Sequence, residues 1–241
     1  MARKGNMYDK EIKSIYLKEK MILKIYEPEE FNNIYENQVV IMQDGNDYYQ
    51  MGRVATISDR MHDDYELVNT VFVGIHYIDR QDRLKKYHPA GEQYEAYKLF
   101  LTKEVIPLID EICPINPLGT IYSLMGDSLA GTIAFMTAME YPQIFEKIVL
   151  QSPLVDNYVL EAARQHSKDS NISIYHSIGL KETEVATTND GNVDFLTPNR
   201  QLANILKQHI TDYHYREIEQ GNHTWKHWQE EMSDVFEIMF S

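Results

Sequence analysis

The chain has 241 residues and a mass of 28.3 kDa, enough for one domain with a sizeable core. Hydrophobic residues make up 43% and charged residues 25%, the balance of a packed protein rather than a disordered one. Lys and Arg total 23 against 37 Asp and Glu, and the net charge of −14 argues against nucleic acid or an anionic membrane as the partner.

A single cysteine, Cys113, excludes an internal disulfide and suits a reducing compartment. Residues 1–10 carry Arg3 and Lys4 but no apolar run of the kind a secretory signal needs. No stretch nears the roughly 20 apolar residues of a membrane span. The expected location is the cytoplasm.

In chain order, residues 14–18 and 21–26 read as two strands of an antiparallel hairpin. The apolar run 39–42 reads as a strand ending in the turn Gln43-Asp44-Gly45-Asn46. A helix is expected over 48–60, a buried strand over 71–75, and a helix over 93–112 that Pro107 should kink or shorten. Then follow a strand at 120–125, a helix at 128–141 and a strand at 147–150. A helix at 154–166 and a strand at 172–176 lead into a polar loop from 179 to 197. A helix at 199–209, a strand at 213–218 and an amphipathic helix at 225–240 complete the chain. Apolar runs alternating with helices imply an α/β fold: a mostly parallel sheet of about eight strands, with an N-terminal antiparallel hairpin and helices on both faces. Residues 1–241 read as a single domain. Ligands of such sheets sit beyond the carboxyl ends of the strands.

The sharpest motif is Gly126-Asp127-Ser128-Leu129-Ala130-Gly131, between a predicted strand and a predicted helix. That context is a nucleophile elbow, whose strained turn needs small residues two positions either side of the serine. Gly126 and Ala130 meet the need. The amide of Leu129 lies at the helix start, where free donors and a positive dipole stabilise an oxyanion. The plainer reading is a tight turn with Ser128 as an N-cap.

A serine hydroxyl needs a base. Of nine histidines, His223 lies in the polar loop Gln220-Gly221-Asn222-His223-Thr224-Trp225, after the last strand and before the last helix. His227 one turn on could be half a zinc site, but no cysteine or second histidine pair completes it. His76 also follows a strand and could line a pocket. The acid of the fold's Ser, acid, His chain order must fall between 128 and 223. Glu182 is the choice, with Glu184, Asp190 and Asp194 competing in the same loop. Gly45 would let the backbone turn so that the amide of Asn46 gives the second oxyanion donor; a plain β-turn is the alternative.

Together these parts resemble the esterase D-type esterases of the α/β-hydrolase fold. That group contains S-formylglutathione hydrolases, feruloyl esterases, siderophore trilactone esterases and mycolyltransferases. The resemblance rests on Val40-Ile41-Met42-Gln43-Asp44-Gly45, on the elbow, on Ala138 to Phe145 with its Tyr141-Pro142, on Ser152-Pro153, and on Gly221-Asn222-His223-Thr224-Trp225. Gly179-Leu180-Lys181-Glu182 matches the family's acid segment with Glu in place of Asp. Arg80, Arg83, Tyr87 and Pro89 are loosely similar to the segment before the long helix in enterochelin esterase-like members. The resemblance implies a serine hydrolase of small-molecule carboxylic esters, with Ser128, His223 and Glu182 as triad and the amides of Leu129 and Asn46 as oxyanion donors. It implies no cofactor and no metal. An acyltransferase would use the same residues, a siderophore trilactone esterase is a further alternative in which the resemblance lets Ser128 and His223 work as a pair without the acid, and a non-catalytic binding protein on the same scaffold is the rival from another class.

Overall fold

The computed structural model describes residues 4–29, 31, 36–167, 171–187 and 191–241. Its main sheet has eight strands: β1 (Asn6–Lys13), β2 (Lys20–Glu27), β3 (Asn37–Gln43), β4 (Asn69–Ile75), β5 (Thr120–Asp127), β6 (Phe145–Gln151), β7 (Ser173–Gly179) and a last strand, Tyr213–Ile218. Two short strands, β8 (Val185–Ala186) and β9 (Asn192–Val193), form a separate ribbon, so the last strand is β10. The order across the sheet is β1-β2-β4-β3-β5-β6-β7-β10. From β4 through β3, β5, β6 and β7 to β10 the paired strands run parallel, while β1 with β2 and β2 with β4 are antiparallel.

Side chains alternate across the sheet with a period of two. Val39, Ile41, Val71, Val73, Ile75 and Leu124 enter one buried cluster; Val40, Met42, Phe72 and Met125 enter the other. Helices cover both faces, which is why the central strands are continuous apolar runs. Beneath one face lie α1 (Gly45–Gln50), α2 (Val54–Asp63) and, at the chain's end, Met232–Phe240. Over the other lie α3 (Arg80–Tyr87), α4 (Tyr94–Phe100), α5 (Ile106–Ile112), α6 (Ser128–Glu140), α7 (Asn157–His166) and α8 (Leu196–Leu206). The short α9 (Trp225–Glu230) precedes Met232–Phe240, which is α10.

The hairpin is shifted from its expected place. Residues 14–18 form the turn, with Ser14 N–H bonding Glu19 O and Lys18 at φ 59°; the first strand is Asn6–Lys13, paired residue for residue with β2. Charged residues dominate that edge strand and hide its alternation, whereas Ile15 in the turn is 81% exposed. The helix expected over 48–60 is two helices, because Gly52 and Arg53 (φ 56°) turn the chain between them. The helix expected over 93–112 runs without a break from Tyr94 to Ile112 but carries a π turn at Leu101–Val105. Ile106 N–H bonds back to Leu101 O, and the extra residue makes room for Pro107, which has no N–H and would clash with an ordinary helical carbonyl. α3 lies where no helix is expected from apolar periodicity. Asp79 caps it through the amides of Gln81 and Asp82.

Candidate active site

β5 ends at Asp127 and α6 begins at Ser128, which sits at φ 50°, in the left-handed region that non-glycine residues seldom occupy. Such a residue persists only where its surroundings hold it, at a cost of order 1–3 kcal/mol. Here the close return of the chain holds it. A Cβ added at Gly126 would lie 2.3 Å from the carbonyl carbon and oxygen of Ala130. The elbow therefore needs glycine at 126 and tolerates alanine at 130.

His223 Nε2 lies 2.9 Å from Ser128 Oγ, and His223 Nδ1 lies 2.6 Å from Glu182 Oε2. An ionised carboxylate only accepts, so Nδ1 carries the proton and Nε2 is left to accept from the serine hydroxyl. Glu182 is 1% exposed. Its Oε1 accepts from Gly179 N–H at 2.9 Å and from Ser152 Oγ at 2.7 Å. Trp228 Nε1 donates to Ser152 Oγ at 3.1 Å, which directs the Ser152 proton toward Glu182. The rings of Phe195 and Trp228 flank the imidazole at 4.4 and 5.0 Å between centroids.

The polar loop folds back to make this arrangement. Lys181 N–H bonds Gly221 O, stitching the acid segment to the histidine loop. Phe195 and Leu196 amides both bond Glu182 O, so the far end of the loop closes on the same residue. Glu184 and Asp194 point to solvent, and Asp194 accepts from Thr197 N–H at the start of α8. Asp190 lies outside the described residues. His227 accepts from Asn222 N–H and closes the histidine loop on itself.

Behind the histidine is a second buried carboxyl. Glu231 accepts from Gln151 Nε2, Ser177 Oγ and Tyr175 OH at 2.6, 2.8 and 3.0 Å. Burial pushes its pKa up, and those three donors oppose the rise.

Leu129 is the second residue of α6, so its amide has no acceptor within the helix. Asn46 is the second residue of α1, which starts from the left-handed Asp44 at φ 59°. The amides of Asp47 and Tyr48 bond Asp44 O, leaving those of Gly45 and Asn46 ahead of the helical bonds. Ser128, Leu129 and His223 open onto a cleft of about 830 Å³, walled by Arg80 and Arg83 of α3 and by Val185 and Phe195. Such a volume suits a small molecule. Asn46 lines a neighbouring recess of about 270 Å³ with His76 rather than the cleft, and Tyr77 borders both. His76 thus lines the recess rather than the cleft. Trp228 carries no signal in the sequence, and Ser152 and Arg83 enter it only through the family resemblance, in Ser152-Pro153 and in the segment of Arg80, Arg83, Tyr87 and Pro89. The signal for Ser152 was its place just after β6, at the same edge of the sheet as Ser128.

The family model described as "Putative esterase" matches residues 14–237. The chain is 39% identical over 228 residues to the uncharacterized protein YjcH of Bacillus subtilis (strain 168), covering 94% of each. It superposes on the enterobactin esterase FES of Shigella flexneri, solved in the presence of enterobactin, with a TM-score of 0.80 at 18% identity. The match covers 96% of this chain but spans only 58% of the Shigella protein. The BES protein of Bacillus cereus superposes with a TM-score of 0.79 at 16% identity, over 100% of this chain and 97% of that one. The chain belongs to the esterase family that this model describes: it is a carboxylic-ester hydrolase built on the α/β-hydrolase fold.

Proposed function

We propose that the protein is a serine esterase working through an acyl-enzyme, with all its parts in one domain. Ser128 Oγ attacks the ester carbonyl while His223 Nε2 takes its proton. Glu182 keeps the imidazole in the tautomer that can accept and stabilises the charge it acquires. The oxyanion accepts hydrogen bonds from the amides of Leu129 and Asn46. His223 then gives its proton to the departing alcohol. Water enters, loses a proton to His223, and releases the acid from Ser128. Every proton passes through one imidazole, and no group is oxidised or reduced.

The hydrogen-bonded line from Ser128 through His223 to Glu182, with steps of 2.9 and 2.6 Å, carries this reading. The substrate is a small-molecule ester whose acyl or alcohol part fits the cleft, handled in the cytoplasm. A fluorophosphonate reagent followed by peptide mass spectrometry tests it. The reagent should modify Ser128 in the wild-type protein and leave the His223→Ala variant largely unmodified. Labelling elsewhere, or equal labelling of both proteins, would refute the assignment. A panel of p-nitrophenyl esters of rising chain length, with a trilactone and S-formylglutathione, would then place the substrate.

A further inference from the structure

β3 and β5 are adjacent and parallel, with Met42 opposite Met125. Two residues further along each strand stand Asp44, which opens the turn to Asn46, and Asp127, which precedes Ser128. The two strand ends that present the proposed oxyanion donors are therefore side by side, each with a buried carboxyl. Arg83 reaches across both. Its Nε lies 2.8 and 3.1 Å from the two oxygens of Asp44, its Nη2 lies 2.6 Å from Asp44 Oδ2, and Nη2 approaches the Asp127 carbonyl oxygen at 3.4 Å. The Arg83 side chain is 18% exposed and that of Asp44 is 3% exposed. The rings of Tyr77 and Tyr87 lie 5.6 and 5.8 Å from the guanidinium carbon. α3 is itself anchored, because the buried Lys86 ammonium pairs with Asp82 and with Glu19, each at 2.6 Å.

We propose that Arg83 is a positioning residue for ester hydrolysis, clamping the Asn46 turn to the Ser128 elbow and cancelling the charge that Asp44 would otherwise present to the oxyanion. This rests on the esterase reading above. Asp44 pairs with this guanidinium, and Asp127 and Asp47 interact with its charge without a side-chain hydrogen bond to it. Burial pushes Asp127 well above the usual carboxyl range, with Asp44 adding to the rise and Arg83 opposing it. An oxyanion forms next to this group only during the reaction. A free carboxylate at Asp44 would oppose that charge, and a loosened turn would misaim an amide. Neither effect acts on the neutral ground-state ester, so the loss should fall on kcat rather than on KM. A bidentate contact cannot be replaced by lysine, which keeps the charge but not the fork.

The test compares wild type, Arg83→Gln, Arg83→Lys, Asp44→Asn and the double variant Arg83→Gln/Asp44→Asn on a p-nitrophenyl ester. An arylboronic acid, which binds the serine as a tetrahedral anion, is the second probe, and melting temperatures report folding. Arg83→Gln should lower kcat about 10- to 100-fold with KM within threefold, and weaken the boronate by a similar factor. Arg83→Lys should fall between, and remains informative if Arg83→Gln does not fold. The double variant should be no worse than Arg83→Gln alone, because the pair acts as a unit. An unchanged kcat in Arg83→Gln overturns the proposal. So does a raised KM at constant kcat, which would make Arg83 a substrate-binding residue. A wild-type protein with no ester turnover and no Ser128 labelling would sink the esterase reading itself, and this role with it.

Discussion

Ser152 Oγ donates a 2.7 Å hydrogen bond to Oε1 of Glu182, the carboxylate oxygen that His223 leaves unused. Ser152 sits at φ 47° just after β6, and its amide bonds Ser177 O on the neighbouring strand. Glu182 is thus held at Oε1 by Ser152 and the Gly179 amide, which leaves Oε2 to face the imidazole. Ser152→Ala removes a charge-assisted bond and leaves Trp228 Nε1 without its partner. Such bonds are worth roughly 1.5–3 kcal/mol. The expected result is a fall in kcat of about tenfold or more with KM little changed. Steady-state kinetics on a soluble ester checks it, and unaltered kcat would leave Ser152 with a purely structural role.

Glu182→Gln keeps the size of the side chain but cannot stabilise imidazolium. A loss of roughly 10²–10⁴ in kcat is expected. Glu184→Gln and Asp194→Asn should stay within a few-fold, because both carboxylates face solvent. The comparison separates the acid from its neighbours. Near-normal turnover in Glu182→Gln would mean that Ser128 and His223 work as a pair.

His176 gives a pH dependence to stability rather than to catalysis. Its ring is fully buried, between Tyr213 OH and Asn199 Oδ1, each at 2.7 Å. Burial lowers its pKa to about 4 from an ordinary value of 6.5. Between those two values the unfolded chain binds a proton that the folded chain refuses. Stability from this group is therefore complete above about pH 6.5, and is lost as the pH falls toward 4. The loss is on the order of 3 kcal/mol at most. Urea unfolding at pH 7 and pH 4.5 should show the decline in wild type and a smaller one in His176→Gln. Equal declines would place the acid sensitivity elsewhere.

The other face of the sheet supplies a packing prediction. Phe72 of β4 stacks on Phe236 at 4.9 Å and meets Phe240 edge-on at 6.5 Å, tying α10 to the sheet. Phe236→Ala should destabilise by about 3–5 kcal/mol through lost contact and cavity. The Ser128 site lies at the strand ends rather than on this face, so folded variant enzyme should keep its kcat. A lower urea midpoint with normal turnover is the expected pair of results.

What the sequence makes legible follows from how local each feature is. The central strands announce themselves because both faces are covered, so Val39 to Met42 and Val71 to Ile75 are uninterrupted apolar runs. Ser128 and His223 stand in local turns whose small residues leave a trace. β1 leaves none, since an edge strand tolerates Asp9, Lys10, Glu11 and Lys13 along its length. The break at Arg53 is also silent, because nothing in its side chain predicts a left-handed backbone. Arg83 and Asp44 are 39 residues apart, and Ser152 and Glu182 are 30 apart. Only the order β4-β3-β5-β6-β7 brings these pairs together. Gly179 and Gly221 show the same dependence. A Cβ at Gly179 would lie 2.4 Å from the carbonyl of Gly221, so the acid and histidine loops meet backbone to backbone.

The most direct measurement is ester turnover by Ser128→Ala beside wild type, with melting temperatures to show that both are folded. The change removes one oxygen from a residue held by the elbow's backbone, so the fold should persist. Loss of the nucleophile should cut kcat by about 10⁴-fold or more. A folded Ser128→Ala protein that hydrolyses the same ester at near the wild-type rate would contradict the account.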